Sequence, residues 1–164
     1  MIKGNKVGLR AVEKNDLEFL KDWRNNPDFR KNFREVRELN LSDQIKWFES
    51  ICVSNPNNYM FVIEDLKNKE LIGAAGLLYI NWIIRSADFS FYIGKDDKYI
   101  DKEGYAEDAS KLLIEYAFKN LNLHKIWMEL YEFDNKKIDF FTKNFNFKKD
   151  GLLRDNCFEN GRYR

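Results

Sequence analysis

Gly104 stands where a charged run, residues 95–103, gives way to AEDASKLLIEYAFKNL, which carries Leu112, Leu113, Tyr116 and Ala117 at helical spacing. The glycine therefore opens a helix soon after a strand-like stretch. A helix start exposes about four unpaired N–H groups and the positive end of a dipole. A glycine there lets backbone approach a phosphate, so this junction can hold a pyrophosphate. It also serves as a plain helix start, and Asp101, Glu103, Glu107 and Asp108 crowd it with negative charge. A second concentration of chemistry lies upstream, at Arg24, Arg30, Arg34 and Arg37. Guanidinium forks suit phosphates and carboxylates, and they also suit a salt-bridged helix surface. Further on, Asn135 opens another helical segment and is followed by Lys136 and Lys137, a pair that suits either a phosphate or a solvated helix face.

The elements that must hold these groups alternate in type. Residues 6–12 read as a strand. Asn15 or Asp16 then caps a helix carrying Leu17, Phe19, Leu20 and Trp23, which Asn25-Asn26-Pro27 ends. Residues 29–41 read as a short helix plus loop. Ser42 is expected to cap a second helix with Ile45, Trp47, Phe48, Ile51 and Cys52 as its apolar set. Strands follow at 59–64, 71–80 and 87–93, the last alternating Asp88, Ser90 and Tyr92 with apolar residues. The Gly104 helix leads to a strand at 123–131, a helix at 135–143, and two short strands around Gly151 and Asn160-Gly161. That order predicts a mixed α/β sheet covered by helices on both faces. The connection from 87–93 to 123–131 has the length of a parallel crossover.

The composition limits what this architecture can serve. A chain of 164 residues, 44% hydrophobic and 34% charged, has one domain's worth of core and excludes disordered or collagen-like classes. Lys and Arg number 28 against 27 Asp and Glu, so no basic stripe points to nucleic acid or an anionic membrane. The apolar stretch 71–84 is shorter than the ~20 residues of a membrane helix. Two cysteines, Cys52 and Cys157, and one histidine make a zinc site an unsuitable reading. The opening MIKGNKVGLRAVEKND lacks an apolar signal core, so a reduced cytoplasm is expected.

Three stretches carry a family likeness. FVIEDLKNKELIGAAGLLYINWIIRSADFSFYIG, EGYAEDASKLLIEYAFKNLNLHKIWMELYEFDNKK and FNFKKDGLLRDNCFENGRYR resemble the GNAT acetyltransferase superfamily. The likeness covers nearly the whole chain, is strongest from Phe61 onward, and is similar to the ribosomal-protein N-terminal and spermidine (diamine) branch. DWRNNPDFRKNFRE also looks like the transferases that acetylate amino sugars on nucleotides. The resemblance implies one domain over 1–164, with a mixed, mostly antiparallel sheet and a splayed parallel strand pair. It implies acetyl-CoA as co-substrate, no metal, and transfer to a primary amine by direct attack in a ternary complex. The amine would be an amino sugar nucleotide, a protein N-terminus or a polyamine. A homodimer is common among relatives.

The resemblance also implies roles. The family's pyrophosphate loop, Arg/Gln-x-x-Gly-x-Gly/Ala, falls on Asp101, Lys102, Glu103, Gly104, Tyr105 and Ala106. Gly104 and Ala106 match and Asp101 departs. Backbone N–H groups of Lys102 to Ala106 would hold phosphate, and those near Tyr92 and Ile93 would pair with the pantetheine and the thioester carbonyl. Asn135 matches an asparagine that contacts CoA, and Lys137 would reach a CoA phosphate. Asp88 falls where relatives often place a glutamate and is the candidate general base. Arg30, Arg34 and Glu35 flank the substrate side. His124 sits in a Leu-His-Lys common at the sheet rim, away from the chemistry. The tyrosine that relatives use to protonate the departing thiolate is replaced by Thr142. A rival reading is a catalytically silent acyl-CoA sensor with the same fold.

Overall fold

The computed structural model describes residues 1–159 and 161–163. Its frame is a six-stranded sheet in sequence order: β1 (Ile2–Lys3), β2 (Val7–Ala11), β3 (Tyr59–Asp65), β4 (Leu71–Asn81), β5 (Ser86–Ile93) and β6 (Lys125–Trp127). Pairing is antiparallel from β1 through β5, and only β5 with β6 is parallel. The crossover between them is α4 (Tyr105–Glu115), which continues through a wider turn, Tyr116–Asn120. Between β2 and β3 lie α1 (Leu17–Asn25), α2 (Pro27–Arg30) and α3 (Leu41–Trp47), and α5 (Asn135–Phe145) follows β6.

Strand alternation sorts the helices onto two faces. On β5, Phe89 and Phe91 point to α5, where Phe141 meets both at 5.4 and 6.0 Å between ring centroids. The next residue, Tyr92, points the other way, to Trp23 of α1 and Phe29 of α2 at 6.2 Å each. Helices therefore cover both faces of a mixed α/β sheet. Among the described residues no helix is long and apolar enough to cross a membrane.

Several boundaries differ from the sequence reading for local reasons. Asn40, not Ser42, caps α3: its side chain accepts from the Asp43 N–H at 3.0 Å while Asp43 accepts from the Asn40 N–H at 3.1 Å. Two reciprocal bonds outweigh the single one a serine offers. The same helix buries Gln44 and leaves Ile45 37% exposed, whereas Phe48 of the expected apolar set is buried and Trp47 and Cys52 pack against the core. The strand expected at 123–131 pairs only over Lys125–Trp127. Strand β1 was not expected. At the C-terminus the hairpin β7 (Phe158–Glu159) and β8 (Arg162–Tyr163) stands apart from the main sheet, no strand forms at Gly151, and Asn160 lies outside the described residues.

The aromatic layer under α5 predicts where stability concentrates. Phe141 is 1% exposed and touches Phe89, Phe91, Phe140, Phe145 and Phe147. Phe141→Ala leaves a cavity the other rings cannot fill, and denaturant unfolding should register a loss of about 3–5 kcal/mol.

Candidate active site

The sheet opens between β5 and β6. Among the described residues β6 pairs with β5 at Ser86, Ala87 and Asp88; beyond the Asp88–Trp127 pair β5 runs on to Ile93 paired with β4 on one edge and with no strand on the other. The far end of this gap is closed by the chain itself: Ile93 N–H donates to the Tyr99 carbonyl and Tyr99 N–H to the Ile93 carbonyl, both at 2.9 Å. The Ile93 amide, expected to pair with pantetheine, is thus already engaged. Phe91, two residues earlier, presents its N–H on the same edge by strand alternation.

Asp88 forms the floor of the gap, on the α1–α2 face. It is 7% exposed, and Arg34 donates to its Oδ2 at 3.2 Å and to Glu129 Oε2 at 3.4 Å. Burial raises the Asp88 pKa above the ordinary aspartate value, Arg34 opposes the rise, and Glu129 adds to it. The other arginines are paired as well. Arg30 is bonded to Glu38, and Arg37 clamps Glu35 through two bonds at 3.0 and 2.7 Å, holding that carboxyl down at about 2. Arg24 sits 6.0 Å over the Phe33 ring. Three of the four forks expected to read an anionic substrate, Arg30, Arg34 and Arg37, are committed to acids of the chain.

At the α4 start Gly104 adopts φ +90°, a conformation that other residues reach only with strain, and an added Cβ would meet Lys6 Nζ at 2.9 Å. The amides here already have an anion. Asp101, buried, accepts from Tyr105 N–H at 3.0 Å and Ala106 N–H at 2.6 Å. Lys98 bonds Glu103 at 2.7 Å, and the Lys102 N–H donates to the same residue at 3.2 Å. Nearby, a cleft of about 530 Å³ is lined by Phe29, Lys31, Tyr99, Asp134, Asn135 and Lys136, among others.

The Acetyltransferase (GNAT) domain pattern matches residues 6–144. The chain belongs to the GNAT acetyltransferase family. A spermidine N(1)-acetyltransferase from Vibrio cholerae is 30% identical over 160 residues, 98% of this chain and 89% of that protein. The corresponding enzyme of Escherichia coli K12 is 29% identical, covering 100% of this chain and 84% of its own length. The crystal structure of the Vibrio cholerae spermidine N-acetyltransferase with CoA and spermine superposes with a TM-score of 0.85 at 30% identity, over 96% of this chain and 90% of that one.

As a GNAT protein the chain is an N-acetyltransferase that draws its acetyl group from acetyl-CoA. Its residues fit that donor along the open β5 edge and the adjoining cleft, where Asn135 lies. At the α4 start they fit only once Asp101 leaves the amides it caps. The lysine pair at α5 divides. Lys136 is exposed and bonded to the Lys98 carbonyl, whereas Lys137 is 6% exposed and turned inward, away from any solvent-facing phosphate. The Thr142 hydroxyl donates to the Ile138 carbonyl at 2.8 Å, within its own helix. His124 precedes β6, at the end opposite the gap, with its N–H on the Arg85 carbonyl at 2.7 Å.

Sequence reasoning missed Asp101 as a cap, Glu129 beside Asp88, and the Tyr99–Asp134 bond of 2.6 Å. An acid shortly before a glycine-opened helix signals the first; the other two are contacts between distant segments. The Arg34–Asp88 pair can be tested by titration. Arg34→Met removes the main cation opposing the burial effect, so the Asp88 pKa should rise further, read by carbon NMR of its carboxyl. An unchanged value would mean that the pair does not form.

Proposed function

We propose that the acceptor is a polyamine of the spermidine class, and that Asp88 is the general base. The observation that carries this is the charge around the gap: three carboxylates, Asp88, Glu129 and Asp134, stand against two cations, the Arg34 guanidinium and the Lys137 ammonium. A cationic amine supplies the positive charge this group lacks. An anionic amine would meet arginines already bound to acids. The relatives named as spermidine acetyltransferases support the same reading.

The chemistry follows from protonation. An ammonium of pKa about 10.4 is only about 0.04% neutral at pH 7, so proton removal needs help. Asp88 takes that proton, directly or through water, and the freed nitrogen attacks the acetyl carbon. Burial raises the pKa of Asp88 and makes it a better proton acceptor than an ordinary aspartate. Donors along the β5 edge, with Phe91 foremost, stabilise the charge that builds on the carbonyl oxygen. The pyrophosphate is proposed to lie at the α4 start, on the amides of Lys102, Glu103, Gly104, Tyr105 and Ala106, with Asn135 at the cleft wall. Copies of the chain are proposed to assemble, as the dodecameric Vibrio cholerae relative does, covering the exposed Trp82, Ile83 and Ile84 of the β4–β5 turn.

Thiol release from acetyl-CoA should be fast with spermidine and slow with nucleotide-linked amino sugars. Asp88→Asn should lower kcat/KM by about 10²-fold or more, the usual scale for a general base. Thr142→Val should cost under tenfold. A silent Asp88→Asn overturns the base assignment, and absence of turnover with every amine would leave the silent-sensor reading.

The α4 start gives a second test. Asp101→Ala should lower the melting temperature of the ligand-free protein through loss of a cap worth ~1 kcal/mol. It should also tighten CoA binding measured by calorimetry, because the amides of Tyr105 and Ala106 become free. Weaker binding would place the pyrophosphate elsewhere.

A further inference from the structure

Acetyl transfer moves protons twice, off the amine and onto sulfur, and the second movement has no donor in the groups described so far. Thr142 spends its hydroxyl proton on the Ile138 carbonyl. Tyr99 spends its own on Asp134, and burial raises its pKa further. Tyr92 is enclosed by Trp23, Phe29 and Phe33, and burial pushes its phenol up to about 12.

Lys137 is placed differently from all of these. Helix α5 packs through Phe141 on Phe89 and Phe91, which puts the helix on one face of the sheet. The Lys137 ammonium nevertheless lies 5.1 Å from the centroid of Tyr99, whose ring packs with Phe29 and Phe33 on the opposite face. A side chain passes from face to face only where the sheet is open. Lys137 therefore threads the gap between β5 and the chain leaving β6, and it is 6% exposed there. Asp134, which caps α5, and Asp88 on β5 are the carboxylates whose charge it feels.

We propose that Lys137 is the proton donor to the departing CoA thiolate, working across the gap from Asp88. The proposal rests on the reading of this gap as the site of acetyl transfer. The substrate ammonium first loses one proton to solvent by way of Asp88. Its lone pair then forms the C–N bond to the acetyl carbon, and the pair of the breaking C–S bond goes to sulfur. The second nitrogen proton passes to Asp88, and Lys137 gives one of its own to sulfur. Asp88 then returns its proton to the neutral Lys137 amine, which restores both groups. Burial lowers the Lys137 pKa to about 8 against the pull of Asp134 and Asp88, close to the ~8.5 of an ordinary thiol. The groups facing it are Asp134 from the α5 start, Asp88 from β5 and Tyr99 from the loop after β5, with Arg34 and Glu129 behind Asp88.

The test reads the CoA thiol directly. With CoA bound to the unaltered enzyme, thiolate ultraviolet absorbance should titrate at lower pH than with free CoA. In Lys137→Met, which keeps the length of the side chain without its charge, that difference should vanish. Lys137→Arg should keep the thiolate shift, because the cation remains. It should lose kcat by about 10²-fold with KM for acetyl-CoA little changed, because a guanidinium does not release its proton. Equal thiol titration in free and bound CoA, or full kcat in Lys137→Arg, overturns the proposal. The measurement on unaltered enzyme stands even where a variant fails to fold. A silent Asp88→Asn beside a damaged Lys137→Arg would remove the base and leave the donor, so the two readings fail separately.

Discussion

The architecture turns on where β5 and β6 part. A parallel pair three residues long satisfies the backbone at Ser86 to Asp88, and past it the β5 edge needs other partners. The chain supplies one, at Ile93 with Tyr99. Between these two closures the sheet is open. The groups proposed for the chemistry, Asp88 with its partner Arg34 and Lys137 beside Tyr99, stand around that opening. Continued pairing over 123–131 would have closed it.

An opening in a sheet exposes buried charge, and the protein offsets it in a definite order. Arg34 is half exposed and holds the buried Asp88, which limits the cost of keeping a carboxylate in the interior. Lys137 and Asp134 at the start of α5 form a second balance, both in contact with Tyr99. The arrangement keeps one acid and one base poised against each other, with pKa values that burial moves toward neutrality from opposite sides: Asp88 upward and Lys137 downward.

The α4 start shows the same economy. Asp101 serves the Tyr105 and Ala106 amides where the family pattern leaves them for a phosphate, and Asp108 accepts from the Lys6 and Val7 N–H groups at 2.7 and 3.0 Å. One carboxylate caps the helix and the other ties it to β2. The departure at Asp101, visible in the sequence as a mismatch, becomes in the structure a satisfied helix end.

The sequence by itself determined the alternation of strands and helices, the crossover through α4 and the need for glycine at position 104, because period, turn chemistry and left-handed backbone are local properties. It also determined the family, through motifs spread along most of the chain. Asp88 was legible as a candidate through the family resemblance, which often places an acid at that position. Tertiary structure alone decided which charges meet. Arg34, Arg30 and Arg37 looked like a reader of anions until Asp88, Glu38 and Glu35 were found on them. Lys137 reads in the sequence as half of a solvated pair, and in the fold it is buried against the Tyr99 ring. Ion pairs between segments dozens of residues apart leave no periodic trace in the chain, and the end of a strand pairing depends on both strands at once. Those are the two things that the residues, taken in order, do not state.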